Sequence, residues 1–328
     1  MSQTTPSIER LSEQLTALNQ PQKMKILVVD DEPDNLDLLY RTFRREFRVL
    51  RAESGAAALD VLEAEGEVAV IISDQRMPEM KGTEFLSRTV PQFPNTVRII
   101  LTGFTDVEDL VEAINAGQVY KYITKPWNPS DLKDVVNHAS ENYQLLRHQA
   151  DSVYRAHLQS QLLSRIIQET DRATLPSVTL NNLVQAFGEG LSADVCCIQP
   201  LDENCAFTPT GGLYQTSEMT SLEALASEPL IQEAIATTSI QLIADIETHH
   251  SLSTHPYYSQ TGISSHLAIP LMQREKVFAV LSLQWKHSLN QLNLVKEDIE
   301  LIHLTARQLS LSLAYYLQHS PGMSQSVA

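Results

Sequence analysis

The chain has 328 residues, a length that predicts two domains rather than one. Hydrophobic residues make up 43% of it, with only 11 Gly and 15 Pro, which argues against global disorder. Its formal net charge of −16 disfavours a dedicated nucleic-acid-binding protein, because such domains carry a basic face.

Cysteine usage and the N-terminal sequence indicate the cellular compartment in which the protein is expected. Cys196, Cys197 and Cys205 fit neither a disulfide framework nor a spaced zinc set, which favours a reducing environment. The first residues, MSQTTPSIERLSEQL, lack the apolar core of a signal peptide. No apolar run reaches the ~18 residues that a membrane-spanning helix needs. We therefore expect a cytoplasmic protein with no membrane segment.

The first part of the chain alternates apolar runs with helical patterns. An amphipathic helix is predicted over 7–18, within an N-terminal extension of residues 1–23. The runs that follow are MKILVV (24–29), FRVL (47–50), VAVIIS (68–73), VRIILT (97–102) and VYKYIT (119–124). This alternation predicts an α/β fold, a doubly wound parallel sheet of five strands covered by helices on both faces.

A long helix is predicted from Pro129 onward, and we expect it to form a connector over 130–170. Apolar residues recur in it in steps of three and four. They are Leu132, Val136, Ala139, Tyr143, Leu146, Ala150 and Val153. A helix of this length is typical of a connector or of a two-stranded coiled coil. The alternative is a single long helix packed on its own chain.

The pattern of helical and strand segments over residues 171–319 predicts a second domain of the α+β class. A helix is expected near 177–191, and the predicted strands are VCCIQPL, CAFTPTG, HLAIPLMQ and VFAVLSLQW. A final helix has a seven-residue apolar pattern. Its members are Val295, Ile299, Ile302, Ala306, Leu309, Leu313 and Tyr316. Residues 320–328 are expected to form a frayed tail.

Polar residues stand where the predicted parallel strands end. Asp30 and Asp31 follow the first run, Asp74 follows the third, Thr102 ends the fourth and Lys125 follows the fifth. Carboxylates converging on one crevice repel one another, and a bound Mg²⁺ would relieve that repulsion. A nucleophile, metal ligands, a hydroxyl group and a lysine are what an aspartyl-phosphate site needs. The simpler alternative is that Asp74 only begins a turn.

The segments VVDDEP, SDQRMPEMKG, LTG and YITKPW, in this order on alternate strand ends, resemble the receiver domain of two-component response regulators. The resemblance covers about residues 24–145 and implies a flavodoxin-like fold. It also implies that Asp74 accepts a phosphoryl group from a partner histidine kinase. The proline after Lys125 fits a tight turn, for which a cis peptide bond is one option.

The same resemblance implies the roles of the neighbouring residues. The ligands of Mg²⁺ would be Asp30, Asp31, Asp74 and the backbone carbonyl of Arg76. Thr102 and Tyr122 would form the switch pair, and Lys125 would contact the phosphoryl group.

The segments QLIADIETHH and GISSHLAIPLMQREKVFAVLSLQW, followed by a long helix, resemble a GAF domain. That family binds cyclic nucleotides, bilins or haem, or only dimerises. The cysteine that would attach a bilin is missing, because Ser253 and Thr254 stand in that region, so a covalent bilin is not expected and the ligand stays open. His249, His250, His255 and His266 are interpreted as imidazoles of a polar loop rather than as metal ligands.

These features predict a non-enzymatic response regulator that is phosphorylated on Asp74 and signals through the GAF-like module by protein contacts. The alternative is a ligand- or tetrapyrrole-sensing regulator in which phosphorylation only modulates the GAF domain. Expected partners are a histidine kinase and a downstream protein, with a homodimer through the connector and terminal helices as an option. Direct contacts with nucleic acid or a membrane are not expected.

Overall fold

The computed structural model describes most of the chain. The described residues are 23–103, 119–172, 176–202, 208, 210–217, 220–289, 292 and 296–319. The chain divides into two compact units, and the division falls between Val153 and Tyr154. The predicted helix over 7–18 lies outside the described residues.

The first unit contains a parallel sheet, as predicted. Its strands are β1 (Lys25–Val29), β2 (Arg48–Ala52), β3 (Val70–Asp74), β4 (Val97–Thr102) and β5 (Lys121–Thr124). Their order is β2-β1-β3-β4-β5, so the chain reverses its winding direction after β2. This reversal places the ends of β1 and β3 side by side, at the position where doubly wound sheets bind ligands.

Helices cover both faces of this sheet. The described helices that lie between its strands are α1 (Pro33–Phe43), α2 (Gly55–Glu65) and α3 (Gly82–Thr89). Pro33 stands at the start of α1, where its missing N–H costs no hydrogen bond. Ser54 caps α2 by accepting a hydrogen bond from the N–H of Ala57 at 3.2 Å. β1, β3 and β4 are buried on both faces, which explains why their sequences are almost continuously apolar.

A single helix, α4 (Pro129–Asp171), continues from the first unit into the second. Its first turns pack on the parallel sheet through Leu132, Val136 and Ala139. The predicted apolar stripe then becomes exposed, with Val153 at 71% exposure. Further along, α4 packs into the core of the second unit. The buried residues there are Leu158, Leu162 and Ile166. Both ends of the helix therefore pack on their own chain. Among the described helices, none combines the length and the apolar character that crossing a membrane requires.

The second unit is built on an antiparallel sheet. Its strands are β6 (Val195–Pro200), β7 (Gly212–Gln215), β8 (Gln241–Ile243), β9 (Ser265–Gln273) and β10 (Lys276–Trp285), in the order β7-β6-β10-β9-β8. Its described α-helices after α4 are α5 (Pro176–Gly190), α6 (Leu222–Ala226), α7 (Pro229–Thr237), α8 (His250–Ser253), α9 (Pro256–Thr261) and α10 (Lys296–His319).

The two faces of this sheet bury different sets of side chains. One face packs on α4, α5 and α10, and its core contains Cys196 and Ile198. The other face packs on α6, α7 and α9, and its core contains Val195 and Cys197. The alternation along β6 is the period of two expected of a strand. The apolar stripe of α10, from Ile299 to Tyr316, is buried inside the unit, while Val295 lies outside the described residues.

Most of the strand expected at CAFTPTG lies outside the described residues. The described strand β7 starts at Gly212 and pairs with β6. A side chain at Gly212 would overlap the backbone of Leu180, so the glycine allows α5 to lie close to the strand. One local prediction in the second unit was wrong, because His266 does not belong to a polar loop. It lies on β9 and is fully buried.

Candidate functional site

Two carboxylates predicted to lie together do so at the carboxyl edge of the parallel sheet. Asp30 directly follows β1, and Asp74 is the last residue of β3, which pairs with β1. Asp30 is 1% exposed and Asp74 is 6% exposed. Both groups are thus removed from water, and a nearby cation would offset the cost of burying carboxylate charge.

Lys125 provides that cation from the end of β5. Its Nζ lies 3.1 Å from Oδ2 of Asp30 and also forms an ion pair with Oδ1 of Asp74. The backbone positions the lysine, because the N–H of Lys125 donates to the carbonyl of Thr102 at 2.7 Å. The peptide bond between Lys125 and Pro126 is cis. Three separate strand ends therefore meet at one buried charge cluster.

The ionisation behaviour of this cluster follows from burial and pairing. Burial raises the pKa of Asp74 above its ordinary value, although the hydrogen bond and charge of Lys125 act in the opposite direction. Burial alone would lower the pKa of Lys125, but its contacts with Asp74 and Asp30 outweigh burial and raise it. The lysine is therefore a permanent cation in this site at neutral pH.

The loop after β3 holds the Asp74 carboxylate in one orientation. The N–H of Arg76 donates to Oδ2 of Asp74 at 2.7 Å, so the two carboxylate oxygens have different partners. Gln75 ties this loop to α3, since its Oε1 accepts from the N–H of Thr83 at 3.1 Å. Gly82 packs against the carbonyl of Asp74, where an added Cβ atom would overlap the carbonyl oxygen. The nucleophile candidate thus sits in a rigid backbone setting.

The remaining predicted site residues take different positions. Thr102 ends β4 and is buried, and its hydroxyl donates to the carbonyl of Gly103 at 3.1 Å. Tyr122 lies on β5 and is 42% exposed. Asp31 is exposed. Within the described residues, no three acidic, histidine or cysteine side chains are grouped closely enough to form a metal site. The structure thus joins Asp30 and Asp74 through Lys125.

One close neighbour of Asp30 was not predicted from the sequence. Asn35, in the first turns of α1, donates from Nδ2 to Oδ1 of Asp30 at 3.1 Å. The same amide nitrogen lies 3.1 Å from Oε2 of Glu32. A polar residue five positions after a strand-end aspartate, on the helix that follows, was the available signal.

The second unit contains a buried polar network on the sheet face that packs on α7 and α9. His266 is at its centre: Nε2 lies 2.8 Å from Oγ of Ser282 and Nδ1 lies 3.0 Å from the hydroxyl of Tyr258. Tyr258 also donates to Glu228, whose Oε2 lies 3.6 Å from His266 Nδ1. Gln284 extends the network, because its Oε1 accepts from the hydroxyl of Tyr257 at 2.7 Å.

Glu228 gives this network its charge and also caps α7. Its carboxylate accepts from the N–H groups of Leu230 at 3.0 Å and Ile231 at 2.8 Å. Burial raises the pKa of Glu228, but the charge of His266 and the hydrogen bonds outweigh burial and lower it to about 2. A fully buried carboxylate is thereby kept ionised.

Comparison with known proteins identifies both units. A family model described as a response regulator receiver domain matches residues 26–137, and a GAF domain model matches residues 173–314. The chain is 36% identical over 115 residues to a chemotaxis protein CheY homolog of Campylobacter jejuni, a match covering 34% of this chain and 88% of that protein. The chain belongs to the response regulator family. Its first unit is a receiver domain and its second unit carries a GAF domain. These two domains are regulatory, which marks the chain as part of a signalling protein.

A second relative matches more of this response regulator. The hydrogenase transcriptional regulatory protein HoxA of Cupriavidus necator is 34% identical over 214 residues, which is 64% of this chain and 41% of that protein. The chain thus spans about two fifths of that relative's length. A solved receiver domain from Clostridium thermocellum is 31% identical, covers 38% of this chain and 98% of its own, and has a TM-score of 0.36. Receiver domains generally use Mg²⁺ for phosphorylation and interact with histidine kinases.

Gly82→Ala tests how closely α3 packs on the site. Because the added methyl group overlaps the Asp74 carbonyl, we expect the receiver domain to lose about 1–3 kcal/mol of stability. Amide hydrogen exchange in β3 should accelerate accordingly. Gly103→Ala is the matched control, since a Cβ atom there meets no atom within 4 Å. Equal exchange rates in the two variants would contradict the packing argument.

Glu228→Gln tests the buried network of the GAF domain. Because the pKa of Glu228 is lowered from 4.5 to about 2, the stability it contributes is present above pH 4.5 and is lost as the pH falls toward 2. We expect a loss of about 3 kcal/mol at neutral pH, with the difference from wild type shrinking across that window. Urea unfolding followed by Trp285 fluorescence, in a Trp127→Phe background, measures it. Glu233→Gln, an exposed change on the same helix, should have little effect.

Proposed function

We propose that this response regulator receives a phosphoryl group on Asp74 from a histidine kinase. The observation that carries the proposal is the pairing of Lys125 with both Asp30 and Asp74 at the carboxyl edge of the sheet. A turn-forming aspartate would have no need of a half-buried lysine partner from another strand. This geometry favours a nucleophile over the simpler interpretation of Asp74.

The proposed transfer is a direct displacement. An oxygen of the Asp74 carboxylate attacks the phosphorus, the bond between phosphorus and the kinase imidazole breaks, and the nitrogen keeps the electron pair. The N–H of Arg76 holds Oδ2 of Asp74, so the attacking oxygen is proposed to be Oδ1, which pairs with Lys125 before the transfer. Lys125 then stabilises the negative charge on the phosphoryl oxygens, as positioning and charge neutralisation are the main sources of catalysis in such reactions.

The donor set at this edge fits Mg²⁺, which binds through one or two carboxylates and keeps several waters. The residues proposed to hold the ion are Asp30, Asp31, Asp74 and the backbone carbonyl of Arg76. When bound, Mg²⁺ would neutralise carboxylate and phosphate charge.

The switch is proposed to pass from Thr102 to Tyr122. Thr102 is buried at the end of β4 and Tyr122 is partly exposed on the neighbouring β5. Movement of the Thr102 hydroxyl toward a phosphoryl oxygen would change the space beside Tyr122, a local packing change with a surface consequence.

The output is proposed to be protein contacts made through the GAF domain, with a homodimer through α4 and α10 as a further prediction. The buried network around His266 supports this choice over ligand sensing, because its side chains are packed on one another. A relative is named a transcriptional regulatory protein. The downstream partner is therefore proposed to be a protein that takes part in transcriptional regulation. We also propose a receiver domain over 24–145, a connector helix over 130–170 and a GAF domain over 171–319. A cytoplasmic location is proposed as well.

Asp74→Asn is expected to abolish labelling by acetyl phosphate in the presence of Mg²⁺. The amide keeps the shape of the side chain but lacks a nucleophilic oxygen. Phosphate that is released by base and by hydroxylamine, measured on the purified full chain, is the readout, and Asp60→Asn, an exposed change on α2, is the control. Labelling of Asp74→Asn at the wild-type level would refute the assignment of the phosphoacceptor.

Thr102→Ala should still accept phosphate but lose the structural response to it. We expect phosphorylation to change amide hydrogen exchange in β5 of the wild type and to leave it within about twofold of the unphosphorylated rate in the variant. Thr42→Ala, on α1, serves as a control. A wild-type exchange response in Thr102→Ala would place the coupling elsewhere.

A further inference from the structure

The two oxygens of the Asp30 carboxylate have different kinds of partner. Oδ1 accepts two neutral N–H donors, from the backbone of Glu32 at 3.0 Å and from Nδ2 of Asn35 at 3.1 Å. Oδ2 accepts the ammonium group of Lys125 at 3.1 Å. Neutral donors of the protein therefore hold Oδ1, while Oδ2 faces a cationic group.

The difference between the two oxygens of Asp30 depends in part on Asn35. A carboxylate oxygen has two lone pairs, and both lone pairs of Oδ1 are used when Glu32 and Asn35 donate together. The terminal torsion of an aspartate is soft and roughly two-fold, so the side chain itself does not keep its two oxygens distinct. With Asn35 in place, Oδ1 is saturated and Oδ2 is the oxygen that remains for a cation.

Asn35 is itself held in place. It lies in the first turns of α1, and the N–H of Asn35 donates to the carbonyl of Glu32 at 3.1 Å. Its side-chain amide also contacts the carboxylate of Glu32. The N-cap position belongs to Glu32, so Asn35 does not serve the helix as a capping residue. Its amide is directed to the acidic cluster.

We propose that Asn35 is a positioning residue of the phosphorylation site, which orients Asp30 so that Oδ2 is presented to the divalent cation. This inference rests on the proposed function of Asp74 and Asp30. Asn35 acts through Asp30 and is not itself a ligand. Without its donor, Oδ1 of Asp30 keeps only the N–H of Glu32, so the carboxylate is held less firmly. A cation must then order the carboxylate as it binds, which weakens binding.

The test uses Mn²⁺ as the probe and the full chain as the protein. Free Mn²⁺ is measured by electron paramagnetic resonance in the wild type, in Asn35→Leu, which keeps the size but removes the donor, and in Asn35→Ala. We expect both variants to bind Mn²⁺ about fivefold more weakly, the size of one lost hydrogen bond. Asn137→Leu, the same change at another half-buried helical asparagine, should bind like the wild type.

A second readout separates positioning from damage to the fold. In labelling with acetyl phosphate, the Mg²⁺ concentration at half-maximal rate should rise about fivefold in Asn35→Leu. The rate at saturating Mg²⁺ should stay within about twofold of the wild type. A lower maximal rate that excess Mg²⁺ does not restore would overturn the proposal, because it would indicate a structural defect.

The outcomes distinguish this proposal from the function on which it rests. Wild-type Mn²⁺ affinity in Asn35→Leu, with Asp74 still labelled in both proteins, would overturn the role of Asn35 and leave the phosphoacceptor intact. Weaker Mn²⁺ binding in Asn35→Leu, with no labelling of wild-type Asp74, would support the positioning role and refute the phosphorylation. A wild-type protein that binds no Mn²⁺ would overturn the positioning role.

Discussion

The receiver domain depends on the neutralisation of two buried carboxylates by one ammonium group. Asp30 and Asp74 come from adjacent strands, and their mutual repulsion in a nearly dry site would be costly without a partner. Lys125, delivered by β5, lies within ion-pairing distance of both. The sheet order brings these three strand ends together. The geometry of the site therefore depends directly on the strand order of the fold.

The GAF domain deals with a buried carboxylate in a different way. Glu228 is satisfied by two backbone N–H groups, by Tyr258 and by His266, all within its own core. A network closed in this way fastens α7 to the sheet through hydrogen bonds, and removing one member would leave the others unsatisfied. The receiver cluster is instead partly open, since the Lys125 side chain is 30% exposed. Buried charge is thus enclosed within the core of one domain and lies at a partly open edge of the other.

The helix α4 shows that one periodic pattern can serve more than one purpose. Its apolar residues pack on the parallel sheet near Leu132, are exposed near Val153, and enter the core of the second unit at Leu158. The helix is continuous from Pro129 to Asp171. One helix therefore contributes side chains to both the receiver core and the GAF core.

The local features of this protein could be predicted from the sequence, because they arise from contacts between near neighbours in the chain. The runs at 24–29, 68–73 and 97–102 closely match β1, β3 and β4, since strands buried on both faces must be continuously apolar. The position of Asp74 at a strand end was predicted for the same reason, as it stands where such a run stops.

The tertiary structure alone decided which groups meet across the chain. The partners of Lys125 lie 95 residues away at Asp30 and on a third strand at Asp74. His266 looked like a loop residue, and only the pairing of β9 with β10 and the packing of α7 placed it beside Ser282 and Glu228. Periodicity reports which face of an element is apolar, but the identity of a polar side chain's partner depends on how distant elements are packed together.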